Sequence, residues 1–320
     1  MTPEPAERLE GRAAGLLLAA MIETPSRLRI DLNQGWDFLR RRVGRRWIGG
    51  GGDPGRTVAH PQCWNPTDTF QPGRRSYSGR GAYRRTVALP KNPTEGGILW
   101  RLQAGAFYGT GDVWISGHRL AKVDGQFLGA TIKLPTSSED TEQLLAVRLD
   151  NRWRRNVLPG FRQPDFILHG GVAGGLWLEG LPEVHFDEDQ VEVISEKIEQ
   201  GNESVTLRWA VCNHSPGAHR VAVAWTIIAP DGTTVAQTRS PRASLASMTE
   251  ISPNEAAVTV DNPRCWSPDD PALYWAEGRL IVEDSVIDTV RVRFGFPRAE
   301  FRPREGLFLD DRRVDLHGCN

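Results

Sequence analysis

The sequence predicts an all-β chain of two successive sandwiches, a jelly roll followed by an immunoglobulin-like domain. Three observations carry this. Glycine and proline are abundant, with 33 and 22 residues. They punctuate the chain about every eight to twelve residues, as turns do between short strands. The runs they bound, such as "ILWRLQ", "GDVWISGHRLAKV", "TIKLP", "QLLAVRLDN" and "GGLWLEGL", are rich in β-branched and aromatic residues. Beyond residue 26 no useful length of sequence carries the helical period of about 3.6 residues.

Residues 1–26 read as a tail or weak helix. Their apolar stretch "RAAGLLLAAM" is shorter than the roughly 20 apolar residues a membrane span takes. Two readings of compartment follow. The stretch is a short helix or a mis-assigned start in a cytoplasmic protein, or it is a signal core in a secreted or periplasmic one.

Residues 27–186 hold the jelly-roll strands. The segment "LPEVHFDEDQ" reads as a boundary. Its acids lack the alternate-position spacing of a calcium loop, so a solvated connector is expected. Residues 187–297 then alternate very regularly. Val205, Leu207, Trp209 and Val211 fall on one face, as do Val221, Val223, Trp225 and Ile227, closed by the turn residues "PDG". "GRLIVEDSVIDTVRVRFGF" reads as a hairpin with Arg291 and Arg293 facing out. The Cys…Trp…Cys core of antibody domains is missing. Residues 298–320 end in "LFLDDRRVDLHGCN", a hairpin that opens a further unit. Leu307, Leu309, Val314 and Leu316 are expected to be exposed and loosely packed, to fold back, or to be covered by a partner.

A formal net charge of -1 argues against a nucleic-acid binder, and the lone basic run "RRRVGRR" reads as a solvated loop. The four cysteines, Cys63, Cys212, Cys265 and Cys319, show no CxxC pair and no histidine at zinc-ligand spacing. A metal site is therefore not expected. The eleven tryptophans are core residues in the main, with sugar stacking as a second use. Phosphate loops and the HExxH and GxSxG signatures are missing. The candidate acids are Asp112, Asp124, Asp165 and the cluster "SSEDTEQ". Nothing pairs two of them as a glycosidase requires, so no complete active site is expected.

Several segments in order resemble one family. They are "LNQGWDF", "VAHPQCWN…YSGRGAYRRTVALP", "DVWISGHRLAKVDGQFLG", "LLAVRLDN" with "PDFILHGGVAGGLWLEGL", "DNPRCWSPDDPALYWAEGRL" with "DTVRVRFGF", and "GLFLDDRRVDLHGCN". Together they resemble glycoside hydrolase family 2, the β-galactosidases and β-glucuronidases, from about residue 28 to residue 320. The chain departs from the family at Gln62, Cys63, Ser116, His169 and Gly174.

The resemblance implies a parent that hydrolyses terminal β-glycosides, β-galactosides first, with retention, through two glutamates of a (β/α)8 barrel beyond residue 320. The last hairpin would open that barrel. The chain would be the non-catalytic N-terminal portion, inactive alone and shaping the substrate cleft. Asp165 would reach the barrel mouth and contact the terminal sugar or a bound cation, sodium or magnesium in the parent. The other role open to Asp165 is to hold its own turn by an Asx hydrogen bond. His169 would face the cleft and Trp64 would line it, or each would be structural. Phe166 would pack at a domain interface, Gly170 and Gly171 would serve turn geometry, and Trp266 would anchor a turn. No other cofactor is implied. Carbohydrate is the implied partner, with neither nucleic acid nor membrane, and the parent is open to homo-oligomerisation. A stand-alone carbohydrate-binding or protein-interaction sandwich without hydrolase activity is the alternative class.

Overall fold

The computed structural model describes residues 22–24, 26–40, 43–53, 55–58, 62–69, 73, 76–89, 97–125, 127–135, 141–198, 201–309 and 311–318. The apolar stretch at residues 12–21, most of the "SSEDTEQ" cluster, Cys319 and Asn320 lie outside them. Among the described residues nearly everything regular is strand, with two single-turn helices. The chain divides into two compact units. One is Leu28–Pro182; the other joins Met1–Arg27 to Glu183–Asn320. These divisions fall at residues 27/28 and 182/183, where the sequence reading put 26/27 and 186/187.

The unit Leu28–Pro182 is a sandwich. Its six-stranded sheet runs, in spatial order, Arg56–Val58, Trp36–Arg40, Arg80–Leu89, Thr141–Asp150, Thr110–Ile115, His118–Val123. The facing sheet runs Leu28–Asp31, Gly171–Pro182, Ile98–Tyr108, Ala130–Lys133. Strand alternation sends Tyr83, Val87, Leu145, Val147, Leu149 and Val113 inward from the first sheet. Leu102, Leu176, Leu178 and Ile132 meet them from the second. The outer face of the six-stranded sheet is covered by the helix Arg45–Ile48. Its Trp47 and Ile48 pack on Ala82 and Ala146. The basic run that supplies this helix is thus part solvated, at Arg45 and Arg46, and part buried. Arg84 crosses beneath it, donating to the Trp47 carbonyl at 2.9 Å and lying 4.4 Å from the Trp47 ring centroid.

The second unit is also a sandwich. A three-stranded sheet, Val184–Lys197, Glu203–Asn213 and Thr249–Val260, faces a larger one built on Ser285–Phe294, Tyr274–Val282, His219–Ile228 and Thr234–Arg239. The alternation read from the sequence is the core: Val205, Leu207, Trp209, Val211, Val223, Trp225 and Ile227 are all buried. Arg291 faces out and pairs with Glu277, and Arg293 lies over the Trp275 ring. Trp266 holds the turn it was assigned to, with its amide on the Phe296 carbonyl at 3.2 Å. The segment at 181–190 is not a connector. It belongs to the strands Gly171–Pro182 and Val184–Lys197, and Val184 and Phe186 enter the core. Its acids escape burial because the register slips between Asp187 and Glu192.

The strand Ile22–Glu23 pairs with Val292 and Arg291 at the edge of the larger sheet. Residues that read as tail therefore belong to the distant sandwich. Arg27 fastens them. Its guanidinium is buried against Asp288, with Nη2 donating at 3.0 Å and Nε at 3.3 Å. It also donates to the Phe186 carbonyl at 2.7 Å and to Glu188 at 2.8 Å. Asp288 is fully buried and accepts in addition from Ser26 and from the Phe186 and Thr289 amides. Burial by itself would discharge Arg27, but the carboxylates of Asp288 and Glu188 outweigh it and hold the proton on more firmly than usual.

The residues after 298 form a small meander, Ala299–Arg302, Gly306–Leu309 and Arg312–Val314, with Leu307 paired to Val314. The exposure expected there is met only in part. Leu307 is buried and Leu316 is exposed, while Leu309 and Val314 are half-buried.

Replacing Arg27 by Met would leave the Asp288 carboxylate buried without its counter-charge. That loss is expected to cost about 3–5 kcal/mol. Calorimetric unfolding would show the transition of this unit moving down while that of Leu28–Pro182 stays. A cost under about 1 kcal/mol would contradict the assigned role.

Candidate functional site

Strand register places several connections at one end of the first sandwich. Arg40 pairs with Gly81, Arg80 with Asp150, Gly111 with Val123, Ala104 with Ala130, and Tyr108 with Gly171. The segments 62–79, 124–129 and 151–170 all leave the sheets at these positions. The last is the longest and has no regular secondary structure, the kind of loop that is commonly functional.

Two asparagines hold this loop at its root. Asn65 is fully buried and donates to the Leu168 carbonyl at 3.0 Å and to the Ser76 hydroxyl at 3.0 Å. Its own carbonyl accepts from the Gly170 amide at 3.2 Å. Asn151, buried at the other end of the loop, donates to the same Leu168 carbonyl at 2.8 Å and to the Tyr77 carbonyl at 3.3 Å. It accepts from the Gly79 amide at 2.8 Å. An amide side chain offers both donor and acceptor, so each asparagine can bridge segments that no sheet ladder connects. The Trp64 amide donates to the Gly170 carbonyl at 2.8 Å and completes the clasp.

Trp64 itself is buried, 7% exposed, and belongs to the core cluster. A Cβ at Gly81 would lie 2.6 Å from its Cε3, and one at Gly170 would lie 2.2 Å from its Cζ2. Phe38 and Tyr83 pack beside it at 6.2 and 6.4 Å between ring centroids. Its ring is enclosed by protein, so in this structure it does not offer a sugar the stacking face expected of a cleft-lining residue. Gly170 is glycine for this contact, and Gly171 for a backbone at φ 133° that meets the Gln62 carbonyl. Cys63 beside it is half-buried, and burial pushes its thiol up to about 11, far from a reactive thiolate.

Beyond this root the loop is open. Asp165 is exposed, and among the described residues its carboxylate has no hydrogen-bond or ion-pair partner. The Asx bond to its own turn is not formed. Phe166, Ile167, Phe161 and Leu158 are exposed on the same loop. At the same end the Phe127 and Tyr108 rings meet edge to face at 5.2 Å. His169 is half-buried, and its buried Nδ1 has no hydrogen-bond partner among the described residues. Such an orphan nitrogen is costly and asks for an explanation.

The other single acids read from the sequence, Asp112 and Asp124, are spent on ion pairs. Asp112 pairs with Arg148 at 3.1 Å and Arg119 at 3.4 Å, and Asp124 pairs with Lys122. They line a groove with Arg80, Arg154 and Asp150 in which acids face bases. Asp150, which sequence reasoning missed, is buried and holds the loop's first arginines. Arg152 donates to both of its oxygens and Arg154 lies 3.6 Å away. Burial would raise this carboxyl, but the Arg152 hydrogen bonds and the two arginine charges override it and hold it below the usual carboxylate range.

Two outcomes are expected. Asn151→Ala removes a buried bridge and should cost at least about 2 kcal/mol, roughly 4–8 °C in the melting of this unit, with faster proteolysis at residues 151–170. Because the folded Asp150 value is depressed, its stabilisation is full above the unfolded value of about 3.9 and is lost as pH falls through the folded one. Acid melts of Asp150→Asn should lack that low-pH component, and an unchanged acid limb would contradict it.

Comparison with known proteins places this geometry. Residues 184–296 match the family model of Glycosyl hydrolases family 2. The chain is 25% identical over 301 residues to a protein of Formosa agariphila named "Putative beta-glucuronidase", covering 92% of this chain and 34% of that one. It is 22% identical over 183 residues to a β-galactosidase of Thermoanaerobacter pseudethanolicus, covering 56% and 23%. Among solved structures, Bacteroides uniformis β-glucuronidase 2, covalently bound to cyclophellitol-6-carboxylate aziridine, superposes with a TM-score of 0.79 at 25% identity. That match covers 91% of this chain and 35% of the other. The chain thus spans between about a quarter and a third of the length of these relatives. Two sandwiches in this order, the matched model over the second, and the likeness across nine-tenths of the chain lead to one conclusion: the chain belongs to glycoside hydrolase family 2.

Proposed function

We propose that this chain supplies the non-catalytic N-terminal sandwiches of a retaining β-glycosidase, and that the loop at residues 151–170 shapes its substrate cleft. The observation that carries this reading is Asp165. Its carboxylate is unspent on the protein, yet it projects from a loop whose root is fixed by Asn65 and Asn151. A carboxylate so presented accepts hydrogen bonds from sugar hydroxyls or joins a cation that does. The orphan Nδ1 of His169, four residues on, supports a ligand on the same side of the root. Asp112, Asp124 and Asp150 are spent on ion pairs with Arg148, Lys122 and Arg152 and take no part.

The sequence reading favours a β-galactoside. A second reading is a β-glucuronide. It is favoured by Arg155 and Arg162 on this one loop, which are not engaged by Asp150 and suit a sugar carboxylate, and by the names of the Formosa and Bacteroides relatives.

The isolated chain is expected to release no nitrophenol from nitrophenyl β-galactoside or β-glucuronide. In a protein that includes a catalytic domain, Asp165→Ala should lower kcat/KM by about 10- to 100-fold, the worth of one charge-assisted hydrogen bond. Turnover by the chain alone, or an unchanged kcat/KM in the variant, would overturn the reading. The ratio of the two substrates' kcat/KM decides the sugar.

A further inference from the structure

The second sandwich holds a donor set that serves no role described so far. His185 on Val184–Lys197 is the direct cross-strand partner of Cys212 on Glu203–Asn213. The pairing continues one step further, with the His214 amide on the Glu183 carbonyl at 2.9 Å. Partners in an antiparallel ladder share a face, and so do residues two apart. His185, Cys212 and His214 therefore point to one side, away from the core face that carries Val184, Phe186 and Val211.

The side chains converge. The two imidazoles stack with centroids 5.4 Å apart and planes within 24°. One nitrogen of each ring and the Cys212 sulfur all lie within 4.8 Å of one another. His185 and Cys212 are buried and His214 is half-buried. Zinc binds sulfur at about 2.3 Å and imidazole nitrogen at about 2.0–2.1 Å. Around a tetrahedral centre those bonds set donors roughly 3.3–3.7 Å apart. Closing from 4.8 Å to that spacing needs each donor to move by less than about 1 Å, a rotamer adjustment and not a refolding of the sheet.

We propose that His185, Cys212 and His214 form a binding site for a divalent transition-metal ion of the zinc class. The donor set selects the class. One thiolate and two imidazoles suit zinc or cobalt, whereas magnesium and calcium want oxygen. On binding, the Cys212 S–H bond breaks, a sulfur–metal bond forms and the proton leaves to solvent, with no change of oxidation state. Three protein donors leave the remaining position to water on the side of half-buried His214. The ion would cross-link two neighbouring strands of the sheet. The inference is independent of the glycosidase reading and would stand if that reading failed.

The test uses the full chain, stripped with chelator and titrated with Co2+ as a spectroscopic probe and with Zn2+ by calorimetry. One equivalent of Co2+ is expected to bring a thiolate-to-cobalt charge-transfer band that Zn2+ abolishes, while Mg2+ and Ca2+ leave it unchanged. The variant carrying Cys63→Ser, Cys265→Ser and Cys319→Ser together should keep the band, since Cys212 is then the only thiol. Cys212→Ala should lose it, and His185→Ala and His214→Ala should each weaken Zn2+ at least about 10-fold. No saturable binding, binding without a thiolate band, or a band lost in the triple serine variant would each overturn the proposal. Because that variant leaves the three donors intact, a folding defect in the site variants does not blur the result.

Discussion

A single peptide carbonyl, that of half-buried Leu168, organises one end of the first sandwich. A carbonyl withdrawn from water needs a partner, and no strand is there to pair it. Asn65 and Asn151 do so from two different connections, and each spends its remaining groups on Ser76, Tyr77, Gly79 and Gly170. Three stretches of irregular chain thereby become one fixed surface. Everything exposed beyond it, Asp165 included, inherits its position from this clasp. Rigid support beneath an open loop is what a binding residue needs if it is not to lose affinity to its own ordering.

Both sandwiches also solve one packing problem in the same way. A tryptophan lies flat on a strand glycine, Trp64 on Gly81 in the first and Trp225 on Gly278 in the second, where an added Cβ would sit 2.6 and 2.7 Å from the ring. The indole fills the volume that a neighbouring side chain would otherwise claim. High tryptophan and high glycine content are therefore linked at these positions. This is why Trp64, which in sequence allows either a cleft-lining or a structural role, is spent on the core.

The legible part of the molecule is the part set by a period of two. The alternation through Val205, Leu207, Trp209 and Val211 has one physical meaning, and the residues are buried as read. The segment at 181–190 reads as a connector because acids outnumber apolar residues there. Val184 and Phe186 enter the core of the second sandwich and Leu181 and His185 are buried too, while a register slip leaves Asp187, Glu188 and Asp189 out of the core. Ile22, Glu23 and Arg27 gave no local sign of strand, since their partners lie at the far end of the chain. The free carboxylate of Asp165 was likewise invisible, because an Asx turn and an open acid share one sequence. His185 stands on a different strand from Cys212, and His214 lies just past the end of the latter, so a search by spacing along the chain could not bring the three together. Cross-strand register did.

The buried Arg27 network has a topological consequence. The chain enters the first sandwich at Leu28 and leaves it after Pro182, two residues beyond Gly180, which is the register partner of Leu28 on the adjacent strand. That sandwich is therefore an insertion with neighbouring entry and exit points, set into a host module whose chain is interrupted and resumes at Glu183. Domains of this kind are the ones that tolerate excision or circular permutation. The host does not have the same freedom. A polypeptide that starts at residue 183 begins life without the cation its core carboxylate was built around, so the second sandwich is encoded on both sides of the first.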